Sequence, residues 1–193
     1  MPDELVDALL DENPSDVQAL LDAGADPNAP LSDGAMPLMI AARLGDADLV
    51  RGLLARGADA AARDEAGWTA LHWAASANRP EIVALLLDAG LDVDLPDGAG
   101  CSALMIAADE GHEPIVRLLH ERGADLNTAN DDGFSALMLA AVAGHAQIVQ
   151  RLIDGGARVD MQDPHSREAL SWAARHGHIT WATLNAKPKA EGA

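Results

Sequence analysis

The sequence predicts an all-α solenoid of stacked helix-turn-helix units joined by β-turn or hairpin-like loops. Three combs of residues with one common step predict it. Glycine recurs at Gly24, Gly57, Gly90, Gly123 and Gly156, each separated from the last by the same interval. The Ala-Ala pairs Ala41-Ala42, Ala74-Ala75, Ala107-Ala108, Ala140-Ala141 and Ala173-Ala174 keep that interval, as do Gly34, Gly67, Gly100 and Gly133. Three registers locked to one period mean one structural unit copied along the chain. A stack of such units offers a long surface and seldom a catalytic pocket.

Within a unit the elements follow in a fixed order. A polar turn comes first, as in Ala66-Gly67 and Asp132-Gly133. A helix start follows: Met36-Pro37-Leu38-Met39, Thr69-Ala70-Leu71-His72, Ser102-Ala103-Leu104-Met105 and Ser135-Ala136-Leu137-Met138. The hydroxyls of Thr69, Ser102 and Ser135 stand where they can cap free N–H groups. Pro37 falls at the first helical position, where a missing N–H costs nothing. A small-residue helix runs to Gly45, Gly111, Gly144 or Gly177, with Asn78 in that place once. The second helix carries Leu49-Val50, Ile82-Val83, Ile115-Val116 or Ile148-Val149, with a Leu-rich pair one turn on. That apolar spacing makes one helix face. Gly57, Gly90, Gly123 and Gly156 close the second helix as left-handed caps.

These units resemble ankyrin repeats, whose hallmarks are a 33-residue step, a Thr-Pro-Leu-His helix start and a Gly-Ala-Asp close. The closes here are Gly24-Ala25-Asp26, Gly57-Ala58-Asp59, Gly90-Leu91-Asp92, Gly123-Ala124-Asp125 and Gly156-Ala157-Arg158. Only His72 keeps the signature histidine, which in the family ties neighbouring turns together; Met39, Met105, Met138 and Ser171 replace it elsewhere. The resemblance implies a single domain over residues 1–185, with an N-terminal cap at 3–30 and full units at 31–63, 64–96, 97–129 and 130–162. A C-terminal cap at 163–185 and a flexible tail at 186–193 complete it. Ser15, after Pro14, caps the outer helix of the first unit in this reading. Leu38, Leu71, Leu104, Leu137 and Leu170 form a core ladder, and Trp73, Trp172 and Trp181 are read as core. Capped ends predict a monomer.

Composition narrows the function classes. The formal net charge of −18 over 193 residues repels phosphate backbones and argues against nucleic-acid binding. It favours encounter with basic partners and also serves solubility. One cysteine excludes an internal disulfide and fits a reducing compartment. The acidic start Met1-Pro2-Asp3-Glu4 is unlike a signal peptide, and no apolar run has the length of a membrane span. A cytoplasmic location is expected. Lysine only at Lys187 and Lys189, beside abundant alanine, points to a GC-rich bacterial genome.

The ankyrin resemblance implies a partner protein bound by the turn tips and the exposed positions of the inner helices, with no reaction catalysed and no cofactor. Directly after the turn glycine stand Ala35, Trp68, Cys101 and Phe134, a position expected to face solvent; Trp68 and Phe134 are the candidate anchors. Exposed inner-helix candidates are Arg43, Leu44, Asp109, Glu110 and Val142, joined at the tips by Ser32, Asp33, Glu65, Asp131 and Asp132. The mixture suits a basic, partly apolar epitope on another protein. The alternative is an acidic inhibitor or immunity-type protein masking a basic enzyme such as a nuclease.

Catalytic and metal chemistry find no support in the motifs. There is no phosphate loop or dinucleotide fingerprint. His176-Gly177-His178 with His165 matches no standard metal spacing, and Gly-His recurs at Gly111-His112 and Gly144-His145. Cys101 has no partner constellation for nucleophilic catalysis. Asp109 and Glu110 are adjacent on a helix and do not share one face.

Overall fold

The structure, a computed structural model, describes residues 5, 7–9, 11, 14–31 and 34–162. The expected C-terminal cap, the tail, Ser32 and Asp33 lie outside the described residues, as do Leu170, Trp172 and Trp181. The helices in order are α1 (Pro14–Asp22), α2 (Pro37–Leu44), α3 (Ala47–Ala55), α4 (Ala70–Ser76), α5 (Pro80–Asp88), α6 (Ala103–Asp109), α7 (Glu113–Glu121), α8 (Ala136–Ala143) and α9 (Ala146–Asp154). The described chain is helical, without a β-strand beyond an isolated bridge at Gln162.

Two layers result. Helices α2, α4, α6 and α8 pack side by side as an inner layer; α1, α3, α5, α7 and α9 form the outer layer. The core lies between them. Leu38, Leu71, Leu104 and Leu137 form a continuous ladder at 1%, 0%, 1% and 1% exposure. The Ala-Ala pairs from Ala41 to Ala141 are buried beside it. Their small side chains leave room for Val50, Val83, Val116 and Val149 of the outer layer, also buried. No unit could cover this surface alone, so stacking is the source of stability.

Local chemistry starts α2, α6 and α8 where the sequence predicts. The Ser102 hydroxyl accepts from the Met105 N–H and the Ser135 hydroxyl from the Met138 N–H, both at 3.4 Å. Pro37 opens α2. The first unit differs from expectation: α1 begins at Pro14, so Ser15 lies inside its first turn and not at the cap position. Proline suits the first helical position, because its fixed φ is already helical and its missing N–H is one that the helix leaves unpaired. Asn78 takes φ +53° in place of the inter-helix glycine, a conformation that asparagine tolerates better than most residues.

Neighbouring units are tied by bonds that recur in the same register from joint to joint. At the inner-helix ends, Arg79 Nε donates to the Arg43 carbonyl at 3.0 Å. His112 Nε2 and His145 Nε2 lie 2.9 Å from the Ser76 and Asp109 carbonyls. Each satisfies a carbonyl that the helix end leaves open. In the loops after the outer helices, the Asn28 amide accepts from Asp59 N–H at 2.8 Å and donates to the Gly57 carbonyl at 3.0 Å. Asp94 accepts from Asp125 N–H at 3.0 Å and Asn127 from Arg158 N–H at 2.7 Å in the same way.

Ala61 occupies that register between the second and third units and cannot make the bond. Replacing Ala61→Asn should therefore add a clamp onto Asp92 N–H and the Gly90 carbonyl. The expected gain is about 0.5–1 kcal/mol, or roughly 1–4 °C in Tm for a chain of this length. A thermal melt followed by circular dichroism checks it; an unchanged or lower Tm sinks the clamp reading.

Candidate protein-binding face

The hairpin tips are built around one polar side chain each. Asp64 Oδ1 accepts from the N–H groups of Ala66 at 3.0 Å and Trp68 at 2.8 Å. Asp97 does the same for Ala99 and Cys101, both at 2.8 Å, and Asn130 accepts from Phe134 N–H at 2.8 Å. Adjacent tips are then bonded to each other: Gly98 N–H donates to the Ala66 carbonyl at 2.9 Å and Asp131 N–H to the Ala99 carbonyl at 3.0 Å. The tips form a linked edge and not a set of free loops.

This construction changes the expected setting of Trp68, Cys101 and Phe134. The sequence reading puts their register in solvent, but Ala35 is 1% exposed and the other three are half-buried. The cause is the next unit. Trp68 Nε1 donates to Asp97 Oδ2 at 3.0 Å, and its ring stands edge-on to Trp73 at 6.3 Å between centroids. The Trp68 ring also lies 6.1 Å from His72. Asn130 Nδ2 donates to the Cys101 thiol at 3.3 Å, while Cys101 and Phe134 pack against the core. Burial pushes the Cys101 thiol above its ordinary pKa, so it forms thiolate poorly.

The remaining predicted residues fall in two places. Glu65, Asp131 and Asp132 are exposed at the tips. Arg43, Asp109 and Glu110 are exposed at the far ends of the inner helices, where Leu44 and Val142 are half-buried. Arg43 is separated from Asp109 by two inner-helix steps, so the candidates make a strip and not a single cluster. Glu110 accepts from the Ser76 hydroxyl at 2.8 Å and lies 3.2 Å from His112 Nε2.

Trp73, a core residue in the sequence reading, is not fully buried. Its register runs Ile40, Trp73, Ile106 and Leu139. Ile40 is 3% exposed, whereas the other three are half-exposed in a row across α4, α6 and α8. Trp73 Nε1 donates to Asp64 Oδ2 at 2.9 Å, and the Arg43 guanidinium lies over the ring at 5.4 Å. A cation over an indole face at this distance is attractive. One signal was available in the sequence. Ile40 shares the register of Trp73, and Arg43 follows Ile40 by one helical turn on the same face, which sets it beside Trp73 on the neighbouring helix.

Among the described residues no group of His, Cys, Asp and Glu could hold a metal ion, and none of the described helices is long and apolar enough to cross a membrane. Open cavities among the described residues lie on the outer helices. One, about 370 Å³, is lined by His120 and by α9 residues including Arg151. A second, about 620 Å³, lies between α1 and the start of α3.

Stacked helix pairs with bonded tips define a helical repeat protein. A family model described as ankyrin repeats (3 copies) matches residues 5–97 and 104–184, so the chain belongs to the ankyrin repeat family. The crystal structure of EF0377, an ankyrin repeat protein, is similar at 29% identity and a TM-score of 0.83. That similarity covers 91% of this chain and 92% of the other. No curated protein gives a significant match to the sequence. Ankyrin repeats are in general protein–protein interaction modules, and members of the family are typically non-catalytic.

Proposed function

We propose that this chain is a non-catalytic interaction module whose inner-helix face and hairpin tips bind a partner protein through a basic, partly apolar epitope. One observation carries the reading: Trp73, Ile106 and Leu139 form a half-exposed row with exposed carboxylates on both sides. Asp131 and Asp132 stand on the tip side, Asp109 and Glu110 on the other. An apolar floor between charged walls is the usual layout of a protein contact. The face is pre-formed by bonded units, so binding orders little and loses little entropy. Trp68, Cys101 and Phe134 support it from behind in this reading, and Val142 extends the floor.

A second reading is favoured by the charge. At −18 the chain suits masking of a basic enzyme, with electrostatic steering of the encounter. It requires one-to-one, salt-sensitive binding and loss of the enzyme's activity.

Substituting Leu139→Glu together with Asp109→Lys should weaken the partner complex by about 10-fold or more; Leu139 is half-buried against the core, so a thermal melt of the variant verifies that it stays folded. Arg117→Glu on the outer layer should leave binding intact. Affinity capture from the source lysate, followed by titration of the captured protein, measures both. A partner held equally by the double variant moves the interface elsewhere.

A further inference from the structure

The strip that carries the proposed interface is not uniformly acidic. Across three inner helices, one register reads Arg43, Ser76 and Asp109. The next register reads Leu44, Ala77 and Glu110. The charge changes sign along the groove within two helix spacings, about 16–20 Å.

The positive end is not explained by internal pairing. Arg51, Arg56, Arg117, Arg122, Arg151 and Arg158 each pair with a carboxylate. Arg63 donates to the carbonyls of Gly67 and Pro96. Arg43 and Arg79 have no carboxylate partner among the described residues, although the chain carries 31 acidic residues. They lie together, Arg79 Nε bonding the Arg43 carbonyl at 3.0 Å. The same task is done at the next two joints by His112 and His145. An imidazole is therefore enough for the joint, and Arg79 brings a charge that the joint does not need. Arg43 is held over Trp73, which fixes its guanidinium at the rim of the apolar row. At the other end Asp109, Asp131 and Asp132 have no cationic partner among the described residues.

We infer that the groove binds a charge-dipolar segment of its partner. Carboxylates of that segment meet Arg43 and Arg79, aliphatic or aromatic residues cover Trp73, Ile106 and Leu139, and basic residues meet Asp109, Glu110, Asp131 and Asp132. The inference rests on the proposed interaction face and adds polarity to it. Arginine suits the first contact because its planar fork pairs with carboxylates in two-point fashion. A span of about 20 Å sets the separation of the two charge blocks: roughly six residues if the segment is extended, or roughly 13 if it is helical.

The test is selection of a displayed library of random 16-residue peptides on the immobilised full chain. The expected binders carry Asp or Glu in one half, Lys or Arg in the other, and apolar residues between. The strongest binder, synthesised and titrated by fluorescence anisotropy, should lose about 10-fold in affinity to Arg43→Gln/Arg79→His. That variant keeps the joint, because histidine makes the same bond elsewhere, and an unchanged melt verifies it. Binders that are basic throughout and indifferent to that variant overturn the dipolar inference while leaving the face in use. Binders held equally by an Ile106→Glu/Leu139→Glu variant overturn the interaction face itself. Failure to enrich any binder overturns both.

Discussion

Replacing Gly67→Ala is expected to destabilise the protein by about 2–4 kcal/mol, while Gly57→Ala costs only about 1 kcal/mol. The two glycines share a left-handed backbone, φ +80° and +84°. Both substitutions therefore bear the same conformational penalty for an L side chain. They differ in space. A Cβ on Gly57 meets nothing within 4 Å. A Cβ on Gly67 would stand 2.5 Å from the backbone nitrogen of Gly98 and 3.0 Å from its Cα. Backbone cannot swing aside as a side chain can, so the tips must part and the Gly98 to Ala66 bond is lost. The reciprocal constraint holds at Gly98, whose Cβ would meet the Ala66 carbonyl oxygen at 2.6 Å. Paired thermal melts of the two variants separate strain from collision: equal losses would show that the tip contact is soft.

The consequence reaches the binding face. Trp68 is anchored to Asp97, the residue just before Gly98. Parting the tips removes that anchor and loosens the Trp68 and Trp73 pair beneath the apolar row. Loss of partner binding in Gly67→Ala would thus accompany loss of stability, whereas Gly57→Ala should bind normally.

The repeat, its helices and its core were legible because they depend on period. Leu38, Leu71, Leu104 and Leu137 had to share an environment once the common step was seen, and a residue that faces the core in one unit tends to face it in all. What a period cannot show is how far a side chain is covered by the unit beside it. Ile40 and Trp73 share a register, yet only Ile40 is buried. The register of Trp68 follows an exposed turn, which points to solvent. Its actual setting depends on Asp97 in the next unit, whose second carboxylate oxygen accepts from the indole. Such pairings are specific to one joint, and no rule of spacing contains them. The reversal of charge from Arg43 to Asp109 is present in the letters, but its meaning depends on the ion pairs that Arg51, Arg56, Arg117, Arg122, Arg151 and Arg158 make and Arg43 does not.

His72 offers the second large effect, and pH is the way to read it. The imidazole is fully buried. Its Nδ1 accepts from Thr69 N–H at 3.1 Å, which leaves the proton on Nε2, 3.1 Å from the Cys101 carbonyl of the next unit. Burial, the leading cause, holds its pKa below the ordinary value near 6.5. The sign follows from linkage. Between the lowered folded value and about pH 6.5 the unfolded chain binds the extra proton more readily, so stability is full above about pH 6.5 and falls as the solution is acidified. Met39 shows what a replacement would keep: its sulfur accepts from Met36 N–H at 3.3 Å, doing the local work of Nδ1. His72→Met should therefore lose only the bond to the next unit. The Cys101 carbonyl still accepts from Asp97 N–H at 2.8 Å, so the cost at pH 7 is about 1–2 kcal/mol and not that of an orphaned carbonyl. On going from pH 7 to pH 5 the native chain should lose more stability than the variant, because only the native chain carries this buried base; His112, His120 and His145 are common to both. Urea titrations at the two pH values measure the difference. Parallel losses in the two chains would mean that His72 is protonated in place, and that the joint between the third and fourth units tolerates a buried charge.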